Sequence, residues 1–154
     1  MFLDALKRDH EETLNKIPQF EEALSAFQSG NFLGIQAMVN YVADEVVGKH
    51  FAAEERAFFP VFEPVLKRYL PNEEPIRMLK LEHMAISKAV EDVRAYASQA
   101  DVEKAVSRGE YLISLLKQHI FREENGVFPM AEKYMGDEEK KCVQKKIDDL
   151  RREK

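Results

Sequence analysis

The sequence predicts an all-α protein, an up-down-up-down four-helix bundle with a short fifth helix at the C-terminus. Apolar residues recur at helical spacing through four long segments, and no segment shows the alternation that is typical of strands. The connections between the segments are short, so consecutive helices should be antiparallel neighbours. A chain of 154 residues suits one domain with a single core. We therefore expect a bundle over residues 1–135 and an amphipathic helix over 136–154 that packs on the same domain.

Turn and capping signals separate the predicted helices. Gly30 suits the left-handed position after the first helix, and Asp101 is a suitable N-cap for the fourth. Asn72 is the expected N-cap of the third helix, and Pro60 is expected to kink the second near its end. The predicted helices cover about residues 3–28, 32–69, 73–98, 102–134 and 138–152.

The composition narrows the class of partner. Hydrophobic residues make up 45% of the chain and charged residues 33%, as in an ordinary soluble helical protein, and a net charge of −5 gives no reason to expect nucleic acid or an anionic membrane. The lone Cys142 suits a reducing compartment, and no apolar run approaches the ~20 residues of a membrane span. We expect a cytoplasmic protein, monomeric or homodimeric, without a nucleic-acid or membrane partner.

One motif occurs twice in the chain. The segment from His50 to Pro60 reads HFAAEERAFFP, and the segment from His119 to Pro129 reads HIFREENGVFP. The His, the two Glu, the Phe and the Pro recur 69 residues later. A shorter repeat, 73 residues apart, joins LKRDH, which ends at His10, to LKLEH, which ends at His83. All four histidines of the chain therefore belong to repeated segments.

The repeated residues should lie at one height in the bundle. Residues of antiparallel helices are level when they are equally far from the turn that joins them. The midpoint of His10 and His50 is residue 30, and that of His83 and His119 is residue 101; both are predicted turns. Each residue also falls on the apolar stripe of its helix. One core layer should therefore contain six polar residues: His10, His50, Glu54, His83, His119 and Glu123.

Four imidazoles and two carboxylates in a hydrocarbon core predict a site for two cations. A buried carboxylate without a partner costs several kcal/mol, roughly, and a cation removes that cost. A single His-x-x-x-Glu pair is weak evidence, and a lone histidine on an apolar face is more often a core residue. The repetition at one height makes the metal interpretation the stronger one. Imidazole and carboxylate without thiolate favour iron, with manganese and zinc as alternatives.

These residues resemble the hemerythrin-like family, the HHE cation-binding domains, over about residues 1–135. The matching motifs are DHEE at 9–12, HFAAEE at 50–55, EH at 82–83 and HIFREE at 119–124. The resemblance implies a centre of two non-haem iron ions with an oxo or hydroxo bridge and two carboxylate bridges. It implies bridging roles for Glu54 and Glu123, and terminal ligation by His10, His50, His83 and His119.

The chain departs from the oxygen-carrying hemerythrins at two points. Those proteins place a second His four residues after the third-helix ligand, where this chain has Ser87. They also end in a His followed by Asp five residues later, where this chain has His119 and Glu123. The four-His, two-Glu set is more similar to the di-iron proteins credited with repairing damaged iron-sulfur centres and handling nitric oxide. Those proteins carry an extra N-terminal cysteine-bearing domain, whereas we expect this chain to begin at the first bundle helix.

Three classes of function fit such a centre. The leading hypothesis is a di-iron protein that binds, senses or reduces oxygen, nitric oxide or peroxide, draws on an unknown electron donor and protects iron centres. The alternative is iron storage, sensing or delivery, in which the metal is the cargo. The third is a hydrolytic two-metal enzyme, which is disfavoured because the core position offers no polar cleft for a larger substrate.

Other residues near the predicted site have simpler interpretations. A solvated helix face explains Glu11, Glu55 and Glu124 better than bonding to the ligands, whereas the two interpretations are balanced for Glu82. Ordinary core packing is also the simpler account of five phenylalanines that could wall a gas-sized pocket: Phe51, Phe58, Phe59, Phe121 and Phe128. The apolar side of the fifth helix, Val143, Ile147 and Leu150, is expected to cover its own bundle.

Overall fold

Four bundle helices and a C-terminal helix make up the computed structural model, which describes residues 2–153. Bundle helix 1 is α1 (Asp4–Gln28), and bundle helix 3 is α4 (Pro75–Ser98). Bundle helix 2 runs through α2 (Leu33–Tyr41), the π-helical segments π1 (Val42–Phe51) and π2 (Glu54–Phe58), and α3 (Phe59–Tyr69). Bundle helix 4 runs through α5 (Val102–Arg122), the π-helical segment π3 (Glu123–Val127) and α6 (Phe128–Tyr134). The C-terminal helix is α7 (Asp137–Arg152).

The predicted fold class is confirmed. None of residues 2–153 lies in a strand, and bundle helices 1 to 4 contact one another in cyclic order. Within this described part of the chain, no helix is both long and apolar enough to cross a membrane.

Bundle helix 1 ends as predicted at Gly30, which has φ 92°. The Gly30 N–H donates to the Phe27 carbonyl, and the Asn31 N–H donates to the Ala26 carbonyl. This pair of bonds is a Schellman motif, and it satisfies carbonyls that the helix end would otherwise leave without partners. The glycine is therefore required by the backbone conformation of the turn.

Bundle helix 3 ends in the same motif, but an alanine takes the left-handed position. Ala100 has φ 56°, and the N–H groups of Ala100 and Asp101 donate to the carbonyls of Ala97 and Tyr96. A left-handed backbone costs an alanine roughly 1 kcal/mol more than a glycine. The turn keeps this strained residue because its two hydrogen bonds close the helix.

Ala100→Gly is expected to stabilise the protein by about 1 kcal/mol, because glycine adopts the left-handed conformation without a Cβ clash. Urea unfolding followed by circular dichroism measures the change. Gln99→Gly is the matched control: Gln99 has φ −88°, so glycine there relieves nothing. A destabilised Ala100→Gly variant would contradict the strain at this position.

Asp101 caps bundle helix 4 as predicted, but the predicted cap of bundle helix 3 is wrong. The Lys104 N–H donates to Asp101 Oδ1 over 3.2 Å. Bundle helix 3 begins at Pro75, so the N-cap is Glu74 and not Asn72. Proline is favoured in the first turn because its missing N–H is not needed there and its φ is already helical. That preference moves the helix start past Asn72.

A proline follows each of the two shorter π-helical segments. Pro60, the residue at which we expect a kink, lies in α3 just after π2, and Pro129 lies at the same place in bundle helix 4, in α6 just after π3. The Phe59 N–H donates to the Glu54 carbonyl and the Phe128 N–H to the Glu123 carbonyl, each spanning five residues. Each π-helical turn therefore begins at one of the predicted bridging glutamates, as π-bulges often do at functional sites.

The apolar core forms two clusters, one on each side of the predicted ligand layer. On bundle helix 1, one cluster contains Ile17, Phe20, Leu24 and Phe27, and the other contains Leu6, with His10 between them. The second cluster also takes in α7, where Val143 and Ile147 are 0% and 1% exposed. α7 packs against π2 and α3 of bundle helix 2. Burial of its apolar side holds this helix on the bundle.

Candidate metal centre

All six predicted ligands lie together in the polar layer between the two apolar clusters. Each bundle helix contributes one histidine, and bundle helices 2 and 4 each add a glutamate four residues later, from the next turn of the same face. The four histidines are 2% to 4% exposed, and both glutamates are 0% exposed. Their burial in an apolar core is what the sequence predicted for these residues.

The histidines form two pairs. His10 and His50 have ring centroids 4.6 Å apart, and their Nε2 atoms are separated by 3.0 Å. The centroids of His83 and His119 are 4.9 Å apart, whereas His10 and His119 are 6.4 Å apart. We call the pairs the His10–His50 half-site and the His83–His119 half-site.

The two glutamates lie between the half-sites and contact both. Glu54 Oε1 is 3.0 Å from His83 Nε2 and 3.4 Å from His50 Nε2. Glu123 Oε1 is 3.0 Å from His10 Nε2 and 3.1 Å from His119 Nε2. Each carboxyl therefore reaches one histidine of each pair, as a bridging ligand must.

The donor atoms fit cations. Five residues present one ligand atom each, all within 4.8 Å of one another: His10, His50, Glu54, His119 and Glu123. His83 is outside this tight group but contacts it through Glu54. Zinc–nitrogen bonds are about 2.0–2.1 Å, so two nitrogens at a right angle on one ion lie about 3 Å apart. The His10–His50 separation matches that spacing.

Three buried polar atoms point to the same conclusion. Glu54 Oε2, Glu123 Oε2 and His119 Nε2 have no hydrogen-bond partner in the protein. Unpartnered buried polar atoms are rare because each costs roughly 1–3 kcal/mol, and these three come from ligand side chains. The group is able to hold a metal ion, which would satisfy them.

A second layer of carboxylates holds every histidine by its other nitrogen. Asp9 accepts from His50 Nδ1 at 2.8 Å, and Glu82 accepts from His119 Nδ1 at 2.8 Å. The corresponding distances are 2.5 Å between Glu55 and His83 and 3.2 Å between Glu124 and His10. These bonds place the proton on Nδ1 and leave Nε2 free for a metal. We call this set the carboxylate ring: Asp9, Glu55, Glu82 and Glu124.

The carboxylate ring links the bundle helices in a closed cycle. Asp9 of bundle helix 1 binds the histidine of helix 2, and Glu55 of helix 2 binds the histidine of helix 3. Glu82 of helix 3 binds the histidine of helix 4, and Glu124 of helix 4 returns to His10 of helix 1. Each ligand is therefore oriented by the neighbouring helix.

Three of the expectations for residues around the ligands need correction. The solvated-face interpretation is wrong for Glu55 and Glu124, which hold His83 and His10. It fits Glu11, which is exposed. Core packing is wrong for Phe121, which is 70% exposed. Asp9 was not singled out as a ligand-orienting residue, although an acidic neighbour beside a ligand in all four bundle helices was a signal for the whole ring.

The remaining phenylalanines are buried, and three of them stack on the ligands. The Phe51 ring lies 3.7 Å from that of His83, nearly parallel to it. Phe128 is stacked on His10 at 5.4 Å, and Phe59 on His83 at 5.8 Å. Core packing is therefore the correct interpretation for these rings, and the same packing fixes the imidazoles and keeps water from them.

The charges of the site are strongly perturbed. Burial, with the charge of Glu123 added, raises the pKa of Glu54 well above its ordinary value. Burial would lower the pKa of His119, but the nearby carboxyl groups of Glu123, Glu54 and Glu82 raise it to about 12. Burial and the charge of His119 lower the pKa of His83 to about 3. His119 therefore carries a second proton at neutral pH, and burial favours the protonated form of Glu54.

Metal binding is expected to release at least one proton, because ligation requires Nε2 of His119 in its deprotonated form. Protons compete with the cation, so affinity should fall by roughly 10-fold per released proton for each unit that the pH is lowered near neutrality. Calorimetric titration with Co²⁺ in buffers of different ionisation enthalpy measures the protons released. Binding without proton release would contradict these protonation states.

The comparisons with known proteins identify the class. A buried group of histidines and glutamates inside a four-helix bundle defines a cation-binding helical protein. The family model of the hemerythrin HHE cation-binding domain matches residues 1–131, and the chain belongs to that family. No curated protein and no solved structure matched the chain.

Proposed function

We propose that this protein is a non-haem di-iron protein that binds, senses or reduces a small ligand: oxygen, nitric oxide or peroxide. The observation that carries the proposal is the arrangement of two histidine pairs around two shared, fully buried glutamates. Imidazole and carboxylate donors without thiolate favour iron over softer metals. A bound iron pair would supply one-electron redox chemistry and coordination positions for a small ligand.

The protein's own residues would bind, orient and enclose the metals. The four Nε2 atoms would bind them, and Glu54 and Glu123 would bridge them. The carboxylate ring holds the imidazoles with Nδ1 protonated, which makes Nε2 the donor and raises its basicity. The stacked rings of Phe51, Phe59 and Phe128 exclude water from the layer.

The burial of the metal-binding residues favours a small ligand over a large substrate. The ligands are at most 4% exposed, so a large substrate has no contact with them. A surface pocket of about 310 Å³ reaches His50, the one predicted ligand in its lining, and Asp9, Tyr41 and Thr13 also line it. This geometry favours a gas or peroxide over the substrate of a hydrolytic enzyme.

The alternative is iron storage, sensing or delivery, in which the cation is the cargo. The observation in its favour is that Glu54 and Glu123 each have a buried oxygen without a partner among the protein's own groups. Loss of metal would then weaken the bundle and report iron supply as a change in stability. Both functions use the same six residues.

Metal analysis with the visible spectrum of freshly purified protein tests the proposal. We expect about two irons per chain and absorption bands that bleach with dithionite and return in air. Zinc alone, or neither metal nor bands after anaerobic iron loading, would remove the redox function. A cytoplasmic setting and an electron donor that reduces the iron belong to the same proposal, supported by the free thiol of Cys142.

A second experiment separates redox chemistry from iron handling. The reduced, iron-loaded protein is mixed with oxygen or nitric oxide, and its spectrum and bound iron are followed together. A redox protein should react rapidly and keep its iron. An iron-handling protein should release iron on oxidation or chelation and lose thermal stability as it does so.

A further inference from the structure

The two halves of the carboxylate ring are supported by arginines from different places. By the repeat of 73 residues, Asp9 corresponds to Glu82, and each orients the histidine of the following bundle helix. Arg122 of bundle helix 4 holds Glu82. The position that corresponds to Arg122, 69 residues earlier, is Ala53, which is 1% exposed and carries no charge. The first half therefore has no arginine at this position.

The C-terminal helix supplies the missing group. Arg151 of α7 donates to both oxygens of Asp9, over 3.1 Å to Oδ1 and 2.5 Å to Oδ2. Asp9 Oδ2 in turn accepts from His50 Nδ1 at 2.8 Å. Two-pronged guanidinium–carboxylate contacts fix geometry as well as charge. A continuous chain of hydrogen bonds therefore runs from Arg151 of α7 through Asp9 to the imidazole of His50, whose Nε2 is the predicted metal ligand.

α7 also walls the pocket that reaches the site. Leu150 and Arg151 of α7, and Glu153 just after it, line the 310 Å³ pocket together with His50. The helix is anchored by buried Val143 and Ile147, and it lies beyond residues 1–131, which the family model matches. The contact with Asp9 is therefore made by a helix that lies outside the matched domain.

We propose that α7 is part of the metal centre and that its Arg151 controls the cation affinity of the His10–His50 half-site. Arg151 is the positioning residue: it holds Asp9, which holds the His50 imidazole in the orientation and tautomer that bind a cation. Loss of this guanidinium frees the Asp9 carboxylate and weakens one half-site, while Arg122 continues to support the other. This inference rests on the proposed metal centre and adds to it a group from outside the bundle.

Stepwise Co²⁺ titration of the full chain tests the control of affinity. Arg151→Gln is expected to weaken one of two binding steps by about 10-fold, since loss of outer contacts to a ligand typically costs 10–100-fold, and to leave the other within about twofold. Arg122→Gln should weaken the other step. Arg152→Gln is the matched control, because Arg152 is the exposed neighbour on α7 and contacts Asp149 instead. Equal loss in both steps for Arg151→Gln would overturn the assignment.

Imidazole nitrogen signals in the NMR spectrum of the metal-free protein give a readout that needs no metal. Arg151→Gln is expected to move the His50 signals and to leave those of His119 in place, and Arg122→Gln should do the reverse. A general loosening of the fold would move all four histidines alike. If Arg151→Gln leaves the His50 signals unchanged, the positioning role is wrong.

The two measurements distinguish failure of this inference from failure of the proposed function. Wild-type protein that binds two Co²⁺ ions, with Arg151→Gln indistinguishable from Arg152→Gln, would keep the centre and refute control by α7. Wild-type protein that binds no pair of ions would refute the proposed function, and the NMR comparison would still decide whether Arg151 positions His50.

Discussion

The Glu54→Ala and Glu123→Ala variants are expected to bind at most one iron per chain and to lose the visible absorption of the paired centre. Each glutamate contacts a histidine from both half-sites, so its removal takes a ligand from two ions at once. Removal of outer contacts alone typically costs 10–100-fold in metal affinity, and loss of a shared ligand should cost more than about 100-fold. Iron analysis after anaerobic loading measures the result.

Glu11→Ala is the matched control, because Glu11 is an exposed glutamate directly beside His10 in sequence. It should keep both irons and the spectrum of the wild type. Two irons in both the Glu54→Ala and Glu123→Ala proteins would refute the bridging assignment, even if the chain proved to be an iron protein.

Removal of the metal should produce the second large effect, a fall of about 10–20 °C in the midpoint of thermal unfolding. Two ions, each present at about 100 times its dissociation constant, stabilise the folded state by roughly 5 kcal/mol. For a domain of this size, 1 kcal/mol corresponds to about 2–4 °C. Calorimetry before and after chelation, followed by reloading, measures the difference and its reversal.

The double variant Glu54→Ala/Glu123→Ala provides the control for chelation. Its midpoint should hardly respond to chelator or iron, because the shared ligands are gone. A wild-type midpoint that is equally insensitive would show that the folded state gains nothing from the cation, and the cargo hypothesis would then lose its physical basis.

The six predicted ligands could be found from the sequence because three constraints coincide. His50 and His119 repeat with their glutamates, all six residues lie on apolar stripes, and antiparallel geometry fixes their heights from the positions of the turns. Each constraint alone is weak. A buried cluster of the six residues satisfies all three constraints, and the structure brings the six residues into one layer.

The carboxylate ring was largely missed because helical position alone does not distinguish solvent from a neighbouring helix. Glu55 and Glu124 lie about 100° from the inward face, where a helix in a bundle meets both water and its neighbour. Their side chains are 42% and 34% exposed, yet they reach His83 and His10. Pairwise packing of the helices decides such contacts, and the sequence does not specify that packing.

The π-helical turns that start at the bridging glutamates were missed for a different reason. Proline predicts a missing hydrogen bond but does not specify how the surrounding helix accommodates it. Just before Pro60 and Pro129 the chain widens for one turn that starts at Glu54 and Glu123. The recurrence of proline six residues after each bridging glutamate was the available signal.

The twofold pattern of ligands, carboxylates and prolines bears on the ancestry of the chain. Exchanging the first helical hairpin with the second maps Asp9 onto Glu82, Glu54 onto Glu123 and the centre onto itself. Such a pattern is what duplication and fusion of a gene for one hairpin would leave, after an ancestor that assembled the site as a symmetric dimer. Ala53 and Arg122 mark a position at which the two hairpins now differ, and Arg151 of the C-terminal helix makes the contact that Ala53 does not.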